Sequence, residues 1–264
     1  MPVDARTLES LLAFWAEAGV DVALADAPQD RMAAGLAAMA PKPPPARPTT
    51  RAQAHAVTPV EVVEASRRAA EAGNVAALGA AIAAFDGCAL KFQGARQAVF
   101  YRGVPDAPVM VIGEGPGAEE DAQGAPFVGR AGKLLDKMLV AAGLNGRVFI
   151  TNTVFWRPPG NRTPTPAEQA ACAPFLERAI TLVRPKILLL AGAASAKQLL
   201  QRPEGILALR GRWFEWRSQD GSLEIPALPT LHPAFLLRQP AAKKKAWEDL
   251  LTLTERLDRA ERPT

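Results

Sequence analysis

VIGEGPGAEED, residues 111–121, decides the fold, because an apolar run ends there in a turn built from two glycines and a proline. The run starts at residue 107, and three later segments share its character: VFITNTV at 148–154, KILLLAG at 186–192 and ALPTLH at 227–232. All four are short and aliphatic without polar alternation, which is typical of strands buried on both faces of a sheet. Helical patterns lie between them, and such alternation gives parallel strands with right-handed crossovers. The sequence therefore predicts a three-layer α/β/α sandwich with a central four-stranded parallel sheet.

Two segments precede this predicted domain, which spans residues 58–264. Residues 1–40 contain the amphipathic pattern TLESLLAFWAEAG and predict an N-terminal helical extension. The prolines of PKPPPARPTT are too closely spaced for a helix or a sheet, so residues 41–57 are predicted to form an extended linker. The domain is expected to open with a helix capped by Thr58, and a second capping box marks a helix start at Thr165.

The composition is that of an ordinary globular protein, with 48% hydrophobic and 22% charged residues. No segment is long and apolar enough to cross a membrane, the N-terminus lacks a signal-peptide pattern, and two cysteines make no disulfide framework. We therefore expect a cytoplasmic protein without membrane contact. Residues 123–245 contain 18 basic and 7 acidic side chains. This excess favours a polyanionic partner such as nucleic acid, although a solvated basic surface would have the same composition.

The Gly-Pro-Gly turn does not have the chemistry of a phosphate site. It lacks the Lys-Ser/Thr pair of a P-loop and the third glycine of a dinucleotide fingerprint. The carboxylates of Glu114, Glu119 and Glu120 would also repel a phosphate. Because glycines let the backbone approach a ligand closely, the turn instead favours a neutral, flat ligand.

Ligands of parallel α/β sheets bind beyond the carboxyl ends of the strands, and this rule gathers separate residues into one place. Glu114 follows the first strand, Asn152 lies near the end of the second, and His232 ends the fourth. Asn152 can pair with the edge of a base because its amide carries both a donor and an acceptor. Taken singly, Phe127 is also consistent with core packing and His232 with a structural role.

Four motifs taken together resemble those of the family 4 uracil-DNA glycosylases. They are VIGEGPGAEED, GAPFVGRAGKLLDKML, FITNTVFWRPPGNRTPTPAEQAAC and TLHPAFLLR, in the family's order and at its spacing over about residues 85–250. The resemblance implies that the protein binds uracil-containing DNA, flips the deoxyuridine into a pocket and hydrolyses its N-glycosidic bond. Uracil would be the product, and an abasic site would remain in the DNA. The rival hypotheses are a uracil- or abasic-site DNA-binding protein with little turnover and a nucleoside hydrolase.

The resemblance also implies roles for individual residues. The catalytic set is His232, which would donate a hydrogen bond to uracil O2, with Glu114 beside the sugar and Asn152 on the Watson–Crick edge. Phe127 would stack on the base, and Glu120 would exclude the methyl group of thymine. The substrate-binding set is completed by Gly115, Pro116, Gly117 and Asp121. The group that positions water stays open between Glu114, Glu120 and Asp121, because Gly115 stands where the best-known uracil glycosylases have an aspartate.

The segment after His232 is predicted to contact DNA. The resemblance implies an intercalation loop in which Leu236 or Leu237 wedges into the base stack with Arg238 nearby, although a packed strand-to-helix connection is the alternative. Lys243 opens a basic helix start that either meets phosphate or is simply solvated. Further phosphate candidates are Arg130, Arg157 and Arg162.

The chain departs from the family at its metal centre. Family 4 members hold a 4Fe-4S cluster on four cysteines, and the corresponding positions here are Phe85, Cys88, Trp156 and Cys172. Phenylalanine and tryptophan cannot ligate iron, so we expect no metal and no cofactor. Phe85 and Trp156 would fill the vacated volume, leaving Cys88 and Cys172 as buried free thiols. We expect a monomeric bacterial enzyme.

Overall fold

The computed structural model describes residues 59–261 of the protein. The predicted N-terminal extension at 1–40, the predicted linker at 41–57 and the Thr58 cap lie outside these residues. Within them, one sheet is covered by helices on both faces. Over residues 59–261, no helix combines the length and apolar character that crossing a bilayer requires.

Six strands build the sheet: β1 (Tyr101–Gly103), β2 (Val109–Gly113), β3 (Val148–Asn152), β4 (Ile187–Ala191), β5 (Phe214–Arg217) and β6 (Glu224–Thr230). Their spatial order is β1-β3-β2-β4-β6-β5. The four central strands are parallel, as the sequence predicts, whereas β1 and β5 add antiparallel edges. The sheet is therefore mixed, which extends the expected four strands to six. The edges escape sequence analysis because β1 has three residues and β5 is mostly exposed rather than a continuous apolar run.

The described helices are α1 (Pro59–Glu71), α2 (Val75–Ala84), α3 (Ala118–Gln123), α4 (Arg130–Ala141), α5 (Pro166–Val183), α6 (Ala193–Leu200), α7 (Ile206–Leu209), α8 (Pro233–Arg238) and α9 (Lys243–Glu261). Short 3₁₀ turns span Ala89–Phe92, Pro159–Asn161 and Pro240–Ala242. Helix α5 begins with the predicted capping box: Thr165 Oγ1 accepts a bond from the Glu168 amide, and Glu168 Oε2 accepts one from the Thr165 amide at 2.8 Å. It contains Pro174 and continues past it to Val183.

The central strands are buried on both faces, so successive residues enter two separate cores. In β2, Met110 and Ile112 join the cluster that packs α1, α2 and α5, whereas Val109 and Val111 join the cluster that packs α4 and α9. Each cluster lies between the sheet and one layer of helices, so the fold has three layers. This packing explains the apolar runs without alternation, because each strand supplies hydrophobic side chains to both cores.

The strand register places the start of the site. Gly113 at the end of β2 pairs with Asn152 at the end of β3, so the Gly-Pro-Gly turn leaves the sheet directly beside Asn152. The amide of Thr153 then donates to the Gly113 carbonyl at 3.0 Å, and the Val154 amide donates to the Glu114 carbonyl at 3.3 Å. The carboxyl ends of β2 and β3 are thereby held together beyond the last ladder pair.

Candidate active site

A cavity of about 530 Å³ opens at the carboxyl ends of the parallel strands. It brings together ten of the residues singled out from the sequence, namely Glu114, Gly115, Pro116, Gly117, Glu120, Phe127, Asn152, Arg162, His232 and Arg238. A further wall comes from the loop that carries Pro158, Asn161, Thr163 and Pro164. The rule that ligands bind beyond the strand ends thus locates the site.

Asn152 supplies a buried polar edge to this cavity. Its side chain is almost wholly buried, yet neither Oδ1 nor Nδ2 has a hydrogen-bond partner among the described residues. A buried amide without partners costs about 1–3 kcal/mol, which a ligand with a matching acceptor and donor would recover. Gly113 makes room for it, because a Cβ at that position would lie 2.5 Å from Asn152 Oδ1 and 2.5 Å from the Phe127 ring.

Phe127 supplies a flat face next to that amide. Its φ of +56° is unusual for a bulky side chain, so the surrounding structure must hold the backbone there. Arg102 on β1 donates to the carbonyls of Pro126 at 2.7 Å and Phe127 at 3.1 Å. Gly132 packs closely against the Phe127 carbonyl, since an added Cβ would lie 1.6 Å from the Phe127 oxygen. The ring lies against His232, with 5.6 Å between centroids and an interplanar angle of 32°.

Arg102 and Gly132 contact the Phe127 backbone beside the cavity, and sequence reasoning missed both. Arg102 also pairs with Asp136 of α4 at 2.6 Å, so it links the Phe127 loop to both the sheet edge and a helix. No sequence signal points to it, because β1 is too short to be recognised. Gly132 had a weak sequence signal: it is a glycine in the first turn of a predicted amphipathic helix, where glycine lowers helix stability.

Glu120 braces the two loops that form the cavity. Its Oε2 accepts a bond from the Gly117 amide at 3.1 Å, and its Oε1 accepts bonds from the Val128 amide at 3.0 Å and the Gly129 amide at 2.9 Å. Gly117 belongs to the turn after β2, whereas Val128 follows Phe127. A charged acceptor shared by three backbone donors holds these loops at a fixed separation.

His232 caps helix α8 and faces the cavity as a neutral ring. Burial, and secondarily the charge of Arg238, lowers the pKa of His232 from 6.5 to about 4, with Glu120 opposing the shift. Its Nδ1 accepts a bond from the Ala234 amide at 3.2 Å, which places the single ring proton on Nε2. At neutral pH the ring can therefore donate one hydrogen bond through Nε2 without carrying charge.

Two of the predicted contact residues, Asp121 and Leu236, are buried and do not face the cavity. Asp121 is buried outside the cavity wall, where its Oδ1 accepts a bond from the Arg96 amide at 2.8 Å, and this placement corrects the expectation that it contacts substrate. Leu236 is fully buried with Leu231 and Ala246 and is not available as a wedge. Leu237, by contrast, is 38% exposed.

The predicted phosphate ligands divide into engaged and free cations. Arg162 lines the cavity but makes two bonds to the carboxylate of Glu168, at 2.6 and 2.8 Å. Although burial alone would raise it, the pKa of Glu168 lies below its usual range because Arg162 and Thr165 bond the carboxylate. Arg157 donates to Asn161 Oδ1 at 2.7 Å. Arg130 and Lys243 are exposed, and their side chains make no hydrogen bond or ion pair within residues 59–261.

The four positions that correspond to cluster ligands form a packed apolar region. Phe85 and Trp156 are each 1% exposed, and the Phe85 ring packs edge-on against Phe175 with 5.1 Å between centroids. The sulfurs of Cys88 and Cys172 are 3.9 Å apart, and both residues are buried. Burial raises the pKa of the Cys172 thiol. The described residues contain no group of three or more metal-ligating side chains, so this site does not fit a four-iron cluster.

Comparison with known proteins agrees with this geometry. Residues 100–251 match the model of the uracil DNA glycosylase superfamily. The chain is 41% identical to a type-4 uracil-DNA glycosylase of Sulfurisphaera tokodaii over 58% of its own length and 71% of the relative's. It is 42% identical to type-4 uracil-DNA glycosylases of Pyrobaculum aerophilum (54% and 74%) and Thermotoga maritima (50% and 68%). The chain therefore belongs to the uracil DNA glycosylase superfamily and, within it, to the type-4 group.

Proposed function

We propose that this protein is a uracil-DNA glycosylase whose cavity receives the uracil of a flipped deoxyuridine. It hydrolyses the N-glycosidic bond, releases uracil and leaves an abasic site in DNA. The observation that carries the proposal is the buried amide of Asn152, which faces the cavity without a partner beside the flat ring of Phe127. Uracil has a flat neutral ring and an edge with one donor and adjacent acceptors, so it fits both features.

Base selection follows from the amide. Oδ1 of Asn152 accepts from uracil N3–H while Nδ2 donates to O4, so both orphaned atoms gain partners. Cytosine presents an acceptor at N3 and a donor at C4, so with the Asn152 amide in this orientation both contacts are mismatched. A site built to hydrogen-bond one pattern rejects the other strongly, because the mismatched polar groups are desolvated without compensation.

Thymine differs from uracil by one methyl group at C5, and Glu120 is the proposed barrier to it. The three amides that bond its carboxylate hold this side chain still, so it forms a rigid part of the wall. A rigid wall excludes a methyl group more effectively than a mobile one, since overpacking then costs about 1–3 kcal/mol or more. Glu120 thus has two linked roles, bracing the loops and limiting the base.

Bond cleavage leaves negative charge on uracil and positive charge on the sugar. The Nε2–H of neutral His232 donates to uracil O2 as that charge develops, and losing one such donor costs about 10²–10³ in rate. Of the three carboxylates considered for the sugar side, Asp121 lies outside the cavity and both oxygens of Glu120 are occupied. We assign the remaining one, Glu114, to the positive sugar and to the attacking water.

We further propose that the enzyme works without an iron–sulfur cluster, as a monomer in the bacterial cytoplasm. Phe85 and Trp156 replace the cluster by apolar packing, and no catalytic step above needs a metal. Protein purified anaerobically should show no absorbance band near 400 nm and no stoichiometric iron. A band with several irons per chain would refute this part of the proposal.

One experiment tests the function. The protein is incubated with a uracil-containing oligonucleotide, and alkali then cleaves any abasic site. Substoichiometric protein should convert the substrate completely, whereas Asn152→Ala and His232→Ala should stay folded and lose most activity. Tight binding without release of uracil would identify a binding protein instead. Activity on free deoxyuridine that matches activity on DNA would identify a nucleoside hydrolase.

A further inference from the structure

A second groove of about 310 Å³ lies between helices α4 and α9. It is lined by Leu134 and Met138 of α4 and by Lys243, Lys244 and Trp247 of α9. The indole of Trp247 is 36% exposed, which is unusual for so large an apolar side chain. The groove therefore combines a flat aromatic surface with two lysines at its rim.

The groove is continuous with the active site through two helices. Ala131 of α4 lines the catalytic cavity, and Leu134 and Met138 follow it one and two turns later on the same face. Helix α8 follows its N-cap His232, which lines the cavity, and its buried Leu236 packs with Leu134 and Met138. The next residue, Leu237, is exposed. The cavity and the groove therefore lie along neighbouring parts of α4.

The surface around the groove is positively charged. On α4, Arg130, Lys133 and Lys137 are exposed at positions i, i+3 and i+7, on one side of the helix. None of their side chains forms an ion pair or hydrogen bond with the described part of the chain, and the same holds for Lys243 and Lys244. The nearby Asp136 is bonded to Arg102 instead. Unpaired cations beside an aromatic surface are typical of sites that bind single-stranded nucleic acid.

We propose that the Trp247 groove binds the DNA strand that flanks the flipped nucleotide, with an unpaired base stacked on the indole and phosphates against Lys243 and Lys244. This inference rests on the proposed function, since it assumes that DNA occupies the catalytic cavity. Stacking requires a base freed from its partner, so the groove favours single-stranded or frayed DNA over an intact duplex. An acidic peptide could satisfy the charges, but it would not account for continuity with the cavity through α4 and α8.

The test measures the affinity of the full-length protein for fluorescent uracil oligonucleotides, which does not depend on turnover. One oligonucleotide is long and single-stranded, and the other has a single nucleotide on each side of the uracil and cannot reach the groove. Trp247→Ala should weaken binding of the long one about tenfold and leave the short one unchanged, while Trp247→Phe restores most of the loss. Lys243→Gln with Lys244→Gln should lower the salt dependence, log Kd against log salt, by about 0.7 for each lysine.

Lys197→Gln on helix α6 is the matched control and should change neither quantity. Unchanged affinity of Trp247→Ala for the long oligonucleotide would refute the inference, even if an acidic peptide bound the groove. An equal loss on both oligonucleotides would refute it too, because the tryptophan would then act through folding. If all variants bind as expected but wild type releases no uracil, the proposed function fails while the groove assignment stands.

Discussion

Asn152→Leu should stabilise the protein and strongly lower its activity. Leucine has nearly the same shape as asparagine but removes two buried polar atoms that have no partner. Removing that desolvation penalty should raise the free energy of unfolding by about 1–3 kcal/mol. For a domain of this size, 1 kcal/mol shifts the melting temperature by about 2–4 °C, so Tm should rise by roughly 2–12 °C.

The same substitution should cost two hydrogen bonds to the base and bury the polar edge of uracil without partners. At about 1–3 kcal/mol for each unsatisfied group, kcat/KM should fall by about 30-fold to 10⁴-fold. Thermal unfolding followed by circular dichroism measures the first effect, and single-turnover release of uracil measures the second. Stability rises while activity falls because the Asn152 amide has no partner in the free protein and gains its partners only from the bound base.

The matched control is Asn74, whose amide is satisfied. Its Oδ1 caps helix α2 by accepting a bond from the Ala77 amide at 2.8 Å. Asn74→Leu should therefore lower stability by about 1 kcal/mol and leave activity intact. If Asn152→Leu lowered Tm as Asn74→Leu does, Asn152 would be a satisfied structural residue, and the reasoning about base recognition would be wrong.

Three further predictions concern the cavity. Because burial lowers the pKa of His232 to about 4, the unfolded chain takes up a proton below pH 6.5 that the folded protein excludes until pH 4. Stability should thus be complete above pH 6.5 and fall by up to about 3 kcal/mol towards pH 4. As the pH is lowered past 6.5, activity should stay constant. Arg238→Gln should raise the pH at which activity begins to fall. A fall that begins near pH 6.5 in the wild type would contradict a neutral buried ring. Glu120→Gln should still exclude thymine but lower kcat about tenfold or more, because one of the backbone amides that Glu120 bonds would lose its acceptor. Glu120→Ala should release some thymine from DNA. If both variants released thymine equally, Glu120 would not be the barrier to the methyl group. Gly113→Ala should lower activity strongly and stability little, because the added Cβ would displace Asn152 and Phe127. Wild-type turnover in this variant would show that these two side chains can move without loss of function.

The central sheet was predictable because local chemistry and global fold agree there. A strand buried on both faces must be apolar throughout, so VMVIG, VFITN and ILLLA identify themselves without tertiary information. The edges β1 and β5 were not predictable, since a short or half-exposed strand is defined by its partner rather than its own pattern. The location of the site followed from the strand order, because parallel strand ends converge at one edge.

By itself, the sequence determined the strand-helix alternation, the motifs of the type-4 group and the loss of two of the four cysteine ligands. Tertiary structure alone decided which polar atoms lack partners, because satisfaction depends on groups far apart in the chain. It showed Asn152 open to a ligand while Glu120 and Arg162 are engaged. It also separated adjacent residues by role, placing Leu236 in the core and Leu237 at the surface, a choice that helix orientation makes and composition does not.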